Sequence, residues 1–436
     1  MPRVLLLLPT TTYRSEAFLT AAARVGVDVT VASESPNALG HLNPTGLLTL
    51  NFSDVDDAVE RVREFSATYP LDAVVPVDSQ VTVVSAAICQ SLGLRHNPVQ
   101  SVVASQDKHH MRQLLKRAGV ASPRFRLCGL DEDRASLAGQ LDYPCVVKPL
   151  SLAASQGVIR ADDQEQFVRA VDRLEAILKR EYASLVDSSD AQPVEPCVQP
   201  SSNDKLAGQF LVEEFIRGPE VALEGMLTRG DLSVIALFDK PDSMDGPFFE
   251  ESIYVTPSRL ATAIQESVGR QTQEATRALG LTEGPIHAEL RITDSGPYVT
   301  EVNPRSIGGL CSRALRFGTA VSLEELIIRR ALDEDFELLD REHPAAGVMM
   351  VPIPHAGRLS AIRGLAEAKA VSGIDGVTIS AHLGQQLVPL PEGSQYLGFI
   401  FSRADSPAAA ELALRESHAR LEFVIEPVGD ETRQER

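Results

Sequence analysis

No apolar run in this sequence approaches the ~20 residues needed to span a bilayer, which argues against a helical membrane protein. The early run Val4-Leu5-Leu6-Leu7-Leu8 is short and lacks a following small-residue cleavage site. It reads as a buried strand and not as a signal peptide. Cysteine is sparse: Cys89, Cys128, Cys145, Cys197 and Cys311 are scattered, odd in number and form no CxxC pair. That suits a reducing cytoplasm and argues against a zinc site or a disulfide frame. Basic residues are also in deficit, 41 against 60 acidic, for a net charge of −19. Such a chain repels nucleic acid and anionic membranes. It can still bind a nucleotide where local cations and a metal offset the field, so the informative question is where the cations lie. No GxGxxG loop, no GxxxxGK[ST] loop and no internal repeat is present, which disfavours a Rossmann dinucleotide site and a Walker A site.

What is present fits a folded protein of several domains. The 436 residues are 44% hydrophobic and 23% charged, and a chain of that length has a prior of about three domains. The first hundred residues alternate strands (Val4–Leu8, Val27–Ala32, Ala73–Val77) with helical stretches (Glu16–Val25, Asp54–Tyr69, Val81–Leu92). That alternation predicts a doubly wound parallel sheet. Ligands would sit beyond its strand ends, at Pro9–Thr12 or at Asp78-Ser79. From about Ser105 the pattern changes. A helix over Lys108–Ala118 precedes strands at Arg124–Leu127 and Pro144–Lys148, and an amphipathic helix covers Gln164–Ala183. Val186–Gly208 is polar and proline-bearing and reads as a mobile or inserted segment. Strands follow at Phe210–Ile216, Val221–Thr228 and Leu232–Phe238, then a helix over Leu260–Leu279, a hairpin, and a helix over Ser322–Ala331. Gly347–Pro427 mixes short strands and two helices as a small α+β cap.

The hairpin carries the strongest chemical signal. His287-Ala-Glu289 leads to Asp294-Ser295-Gly296 and on to Glu301-Val-Asn303-Pro-Arg305. A three-residue loop with Gly296 in the left-handed position would pair Thr293 with Pro297. Glu289 then lies opposite Glu301 and His287 opposite Asn303, all on one face. Facing carboxylates repel; a hard divalent cation between them reverses the sign, since Mg²⁺ prefers carboxylate and amide oxygens plus phosphate. A solvent-facing polar strand would explain the charges, but not the Pro-Arg and glycine pair (Gly308-Gly309) that follow.

Three further segments are weaker when taken singly. Lys148 ends the apolar strand Val146-Val147-Lys148-Pro149, where a buried ammonium requires a partner. The small, hydroxyl-rich stretch Ser151-Leu-Ala-Ala-Ser155-Gln156-Gly157 could fold over phosphates with backbone N–H groups. Lys108 opens a helix and by itself is an ordinary solvated lysine. Leu211-Val212-Glu213-Glu214-Phe215-Ile216 runs into a Gly-Pro turn before Glu220, offering acceptors and apolar walls of the kind adenine and ribose need.

In this order the segments resemble the ATP-grasp superfamily over about Ser105–Asp335. The resemblance implies an α/β and α+β architecture: an N-terminal parallel α/β domain (1–104), an ATP-grasp domain (105–340) and a C-terminal cap (341–436). It implies that Lys108 and Lys148 contact ATP phosphates, with Ser151, Ser155 and Gly157 in a mobile phosphate loop. Glu213 and the backbone at Phe215 and Ile216 would read adenine, and Glu220 would hold ribose. Glu289, Glu301 and Asn303 would bind Mg²⁺ or Mn²⁺. Arg305 would stabilise charge on an acyl phosphate, with Lys148 assisting. Phe248-Phe-Glu250-Glu251-Ser-Ile-Tyr254, the Gly308-Gly309 pair and Pro352-Ile-Pro354 are most similar to the L-amino acid ligases. There, an acid in the first stretch faces the substrate amino group: Glu251 here, with Glu250 the alternative. Some members carry a histidine where this chain has Tyr254. The substrate-facing set is then Glu250, Glu251, Tyr254, His287, Arg305, Gly308 and Gly309.

The expected activity is acyl-phosphate formation from an amino acid or related carboxylate, followed by transfer to an amine. The partners would be small molecules only, with no nucleic acid and no membrane, in the cytoplasm, and a homodimer is one assembly the resemblance allows. Alternatives are another ATP-grasp ligase of natural-product or nucleotide biosynthesis, or a non-catalytic ATP-binding regulator. The chain lacks a biotin-carrier lysine motif, which disfavours a complete biotin-dependent carboxylase.

Overall fold

The structure, a computed structural model, describes residues 1–36, 43, 45–187, 208–334 and 342–427. Cys197, most of the polar stretch Val186–Gly208 and the expected boundary at 340/341 lie outside the described residues. The leading apolar run is a strand, Arg3–Leu7, whose Val4 to Leu7 side chains have no solvent exposure. It is buried on both faces because helices cover both, as a parallel sheet requires. The sheet order is Leu47–Thr49, Asp28–Ser33, Arg3–Leu7, Ala73–Pro76, all parallel. Helices Ser15–Val25 and Val55–Thr68 connect strands, helix Thr82–Leu92 follows the last one, and the second helix is capped by the Asp54 side chain accepting from the Asp57 amide.

A second layer is the antiparallel sheet Phe125–Gly129, Gln209–Glu214, Cys145–Pro149, Ile159–Ala161. Helix Gln164–Asp187 lies on it. Phe167, Ala170, Val171, Leu174 and Leu178 recur at helical spacing and are buried against Cys145, Val147 and Phe210. The largest sheet has eight antiparallel strands. Its order is Gly296–Asn303, Gly284–Thr293, Glu220–Thr228, Asp231–Asp239, Ile253–Thr256, Ala345–Val351, Gly398–Ala404, Ile374–Ile379. The last three come from the C-terminal region, joined through Ile253–Thr256 pairing with Ala345–Val351. The C-terminal cap therefore extends the central sheet by backbone hydrogen bonds.

The hairpin differs from the expectation in one detail. Its loop has two residues, Asp294 and Ser295, so that Thr293 pairs with Gly296 and not with Pro297. Gly296, at φ +119°, takes a backbone conformation open to glycine, and the Thr293 hydroxyl closes the turn by donating to the Gly296 carbonyl (2.8 Å). A bulge opposite Glu289 and Leu290 then takes up one residue, and His287 still faces Asn303 while Glu289 faces Glu301. The two one-residue differences cancel.

Candidate active site

Two cavities meet on the concave side of the large sheet. The smaller, about 110 Å³, lies between the two antiparallel sheets. Val146, Met244, Phe249, Val158 and Phe215 form its apolar floor and walls. Lys108, Lys148, Glu213, Glu220 and Arg291 supply its polar rim, and Ile216 adds to its lining. The larger, about 740 Å³, opens between the sheet, the N-terminal domain and the cap. Glu251, Glu289, Glu301 and the loop Ala153–Ser155 line both.

Cations in the smaller cavity are set by a buried acid. Glu213 is 4% exposed; its carboxylate accepts from Arg112 Nε (2.6 Å) and pairs with Lys148 Nζ (2.6 Å). Burial opposes its ionisation, but Arg112 and Lys148 outweigh burial and hold the carboxyl below its usual range. Lys148 is thus the partnered lysine that a buried strand end demands, and the Glu213 carboxylate is engaged by two cations. The Ile216 carbonyl accepts from Arg291 (3.1 Å). Lys108 Nζ donates to the Leu152 carbonyl (2.7 Å) and so ties the small-residue loop down. Burial depresses the Lys108 ammonium, against the pull of Glu301.

At the junction sits a residue the sequence reading missed. Lys240 is 5% exposed and donates to Glu220 (2.7 Å), Glu251 (2.9 Å) and Glu289 (3.0 Å). Burial opposes its charge, yet these three carboxylates raise its pKa well above the usual lysine value. Lys240-Pro241 closes an apolar strand just as Lys148-Pro149 does, so the same signal was available. Arg112 stands four residues beyond Lys108 on one helix, and Glu224 four beyond Glu220 on one strand, spacings that keep each pair on one face.

Glu224, 1% exposed, accepts from His287 Nδ1 and, at its other oxygen, from the Ile307 amide (3.0 Å). His287 Nε2 lies 3.4 Å from Glu289. Burial disfavours the His287 imidazolium, but Glu224 and Glu289 prevail and push its pKa up to about 9. The loop after Asn303 is fixed from the N-terminal domain. Arg305 Nε donates to Ser79 Oγ (2.5 Å), and the buried Arg14 donates to Ser306 Oγ (2.7 Å) and the Val77 carbonyl (3.0 Å). The strand end Asp78-Ser79 therefore lies at the site, as expected of a parallel sheet. Gly309, at φ +61°, leaves room for Phe399, whose ring a Cβ would meet at 3.0 Å.

Most of the expected residues converge. Lys108, Lys148, Ser155, Glu213, Phe215, Ile216 and Glu220 line the smaller cavity. Asn303, Arg305, His287, Tyr254, Gly308 and Gly309 line the larger. Three line neither: Ser151 is exposed, Gly157 is packed against Leu174 and Pro149, and Glu250 is half-buried. Tyr254 is 2% exposed, with its ring 5.0 Å from Lys240 Nζ. Burial and Glu251 raise its hydroxyl well above the usual range, so it stays protonated at neutral pH.

The chain is similar to known proteins in sequence and in fold. The family model described as "ATP-grasp domain" matches residues 141–314. The chain contains an ATP-grasp domain. Further matches are an ATP-grasp N-terminal domain over 19–96 and an L-amino acid ligase C-terminal domain over 349–426. The structure of an L-amino acid ligase from Bacillus licheniformis superposes with a TM-score of 0.76 at 25% identity, covering 98% of this chain and 99% of that one. Uncharacterized protein y4rH of Sinorhizobium fredii (strain NBRC 101917 / NGR234) is 22% identical over 99% of this chain and 84% of its own length. Alanine–anticapsin ligase of Bacillus subtilis is 25% identical over 54% of this chain, and the match spans 48% of that relative. Two of these three relatives are named as ligases, each 25% identical, and the chain spans about half the length of the second.

Proposed function

We propose that this ATP-grasp protein is a carboxylate–amine ligase that converts an amino acid or related carboxylate to an acyl phosphate and transfers the acyl group to an amine. The observation that carries the reading is the shared wall. Glu251, Glu289 and Glu301 separate an apolar slot with a cationic rim from a larger polar cavity. A nucleotide in the slot with its phosphates toward Lys108 and Lys148 would point its terminal phosphate at a carboxylate beside Arg305. Arg305 and the His287 imidazolium would oppose the negative charge that develops on the reacting oxygens. Because burial, aided by Glu289, raises the Glu251 carboxyl pKa against the pull of Lys240, Glu251 is suited to accept a proton from the substrate ammonium group and so free the amine for attack. Tyr254, held protonated, is not.

Glu289 and Glu301, paired across the hairpin, would hold Mg²⁺ between them. Glu220, Glu251 and Glu289 also bring three oxygens within 4.8 Å of one another, but the Lys240 ammonium already bonds all three and would repel a second cation there. Asn303 Nδ2 donates to Glu301 (3.0 Å), which leaves the amide oxygen of Asn303 as a further hard ligand beside the two carboxylates. A bound divalent ion would neutralise phosphate charge. The test is ADP release with Mg-ATP in the presence of paired amino acids, checked by mass spectrometry for the amide. ATP binding without stimulation by any carboxylate–amine pair would reject the ligase reading.

A further inference from the structure

The small-residue loop that follows Lys148 holds an unfavourable backbone. Ala154 and Ser155 have φ of +53° and +57°, and Gly157 has +72°. Left-handed conformations of side-chain-bearing residues persist only where their surroundings impose them. Here the cap holds the two residues that follow them, Gln156 and Gly157. The Gly157 amide donates to the Pro391 carbonyl (2.9 Å). Gln156, 7% exposed, donates to the Glu392 carbonyl and to Glu181 (2.9 Å each). Arg180 donates to the same Glu392 carbonyl (2.5 Å), and Arg173 grips the Glu392 carboxylate with two nitrogens, Nη2 at 2.8 Å from Oε2. The chain beyond Glu392 runs directly into Ser394, Gln395 and Tyr396, which line the larger cavity.

We infer that Glu392 is a positioning residue: its carboxylate, held by Arg173, sets the Pro391 and Glu392 carbonyls that latch the phosphate loop to the cap, so that closure over the nucleotide is coupled to occupancy of the carboxylate–amine cavity. The inference rests on the ligase reading for its catalytic consequence, but its structural content does not. With the latch closed, Ala153–Ser155 stay between the two cavities and keep water from the acyl phosphate. With it open, water in place of the amine attacks the acyl carbon. Carboxylate and phosphate are then regenerated, and ATP is hydrolysed with no amide formed. The Glu392 side chain is 27% exposed and Arg173 42%. A partly exposed ion pair contributes little to global stability, so its removal should alter the loop without unfolding the protein.

Glu392→Ala in the full chain tests this in two arms. Amide hydrogen exchange of residues 151–158 should rise by about tenfold as the loop opens locally, with the thermal midpoint unchanged. In assays with Mg-ATP and a carboxylate–amine pair, the ratio of ADP to amide should rise above that of the wild type. The Arg173→Glu/Glu392→Arg exchange should restore part of both. Unchanged exchange in Glu392→Ala overturns the latch whatever the enzyme's activity. Faster exchange with an unaltered ADP-to-amide ratio overturns the coupling. If no pair is turned over, the ligase reading fails and the exchange arm still decides the latch.

Discussion

Lys240 is the residue on which the site's electrostatics depend. One ammonium, bonded to Glu220, Glu251 and Glu289, lets three acids stand together in a region with little solvent. Lys240→Met should leave those acids uncompensated and destabilise the fold by about 3–5 kcal/mol, read by urea unfolding; a change near zero would show that the acids do not depend on it. Glu301→Ala acts differently, since the cations beside it, Lys108, Arg305 and Lys148, line cavities that solvent can enter. It should leave the fold intact and reduce turnover on the order of a hundredfold or more, as loss of a group stabilising transition-state charge does. Near-wild-type turnover would remove Glu301 from the metal site. Glu213 supplies a pH test. Its carboxyl is held below the ordinary range, so its contribution is present above the unfolded value of about 4.3 and lost as pH falls through the lower folded value. Glu213→Gln should therefore be less stable than wild type at pH 7, with the gap closing below about pH 4. A gap of equal size at both pH values would assign the stabilisation elsewhere.

The turn that joins the two antiparallel sheets is the most demanding element. Gly218, between strands Gln209–Glu214 and Glu220–Thr228, has φ +124°, and a Cβ there would lie 2.0 Å from the Ile292 carbonyl oxygen. This close approach lets Pro219 accept from the Ile292 amide (2.9 Å) and sets Glu220 beside Arg291 (3.0 Å). Gly218→Ala should cost roughly 1–3 kcal/mol in chemical unfolding through backbone strain. An unaffected midpoint would mean that the turn can relax away from the hairpin.

Across the whole molecule, the cysteines report on separate cores. Cys89 packs under the parallel sheet, Cys128 and Cys145 under the small antiparallel sheet, and Cys311 with the cap and the large sheet. Burial pushes the first three thiols up to about 12, 11 and 12, and Cys311 higher still. Little thiolate exists at pH 8. Iodoacetamide should leave these four unmodified in the native protein and label all four in denaturant, as mapped by peptide mass spectrometry. Labelling of one core ahead of the others would identify a region that opens independently.

Local periodicity made much of the site's geometry legible. Strand period two put Glu289 opposite Glu301 and His287 opposite Asn303, and an apolar strand ending in lysine marked Lys148, because both relations are decided within a few residues of chain. The same rule applied at Lys240-Pro241 would have found the central cation. What only the tertiary structure decided are the long-range contacts: Arg305 on Ser79, Arg14 on Ser306, and Glu392 on Arg173, with sequence separations of 226, 292 and 219. Side-chain direction along a strand follows from backbone geometry alone. Which strand end faces which loop depends on how whole sheets pack, and no local pattern encodes that.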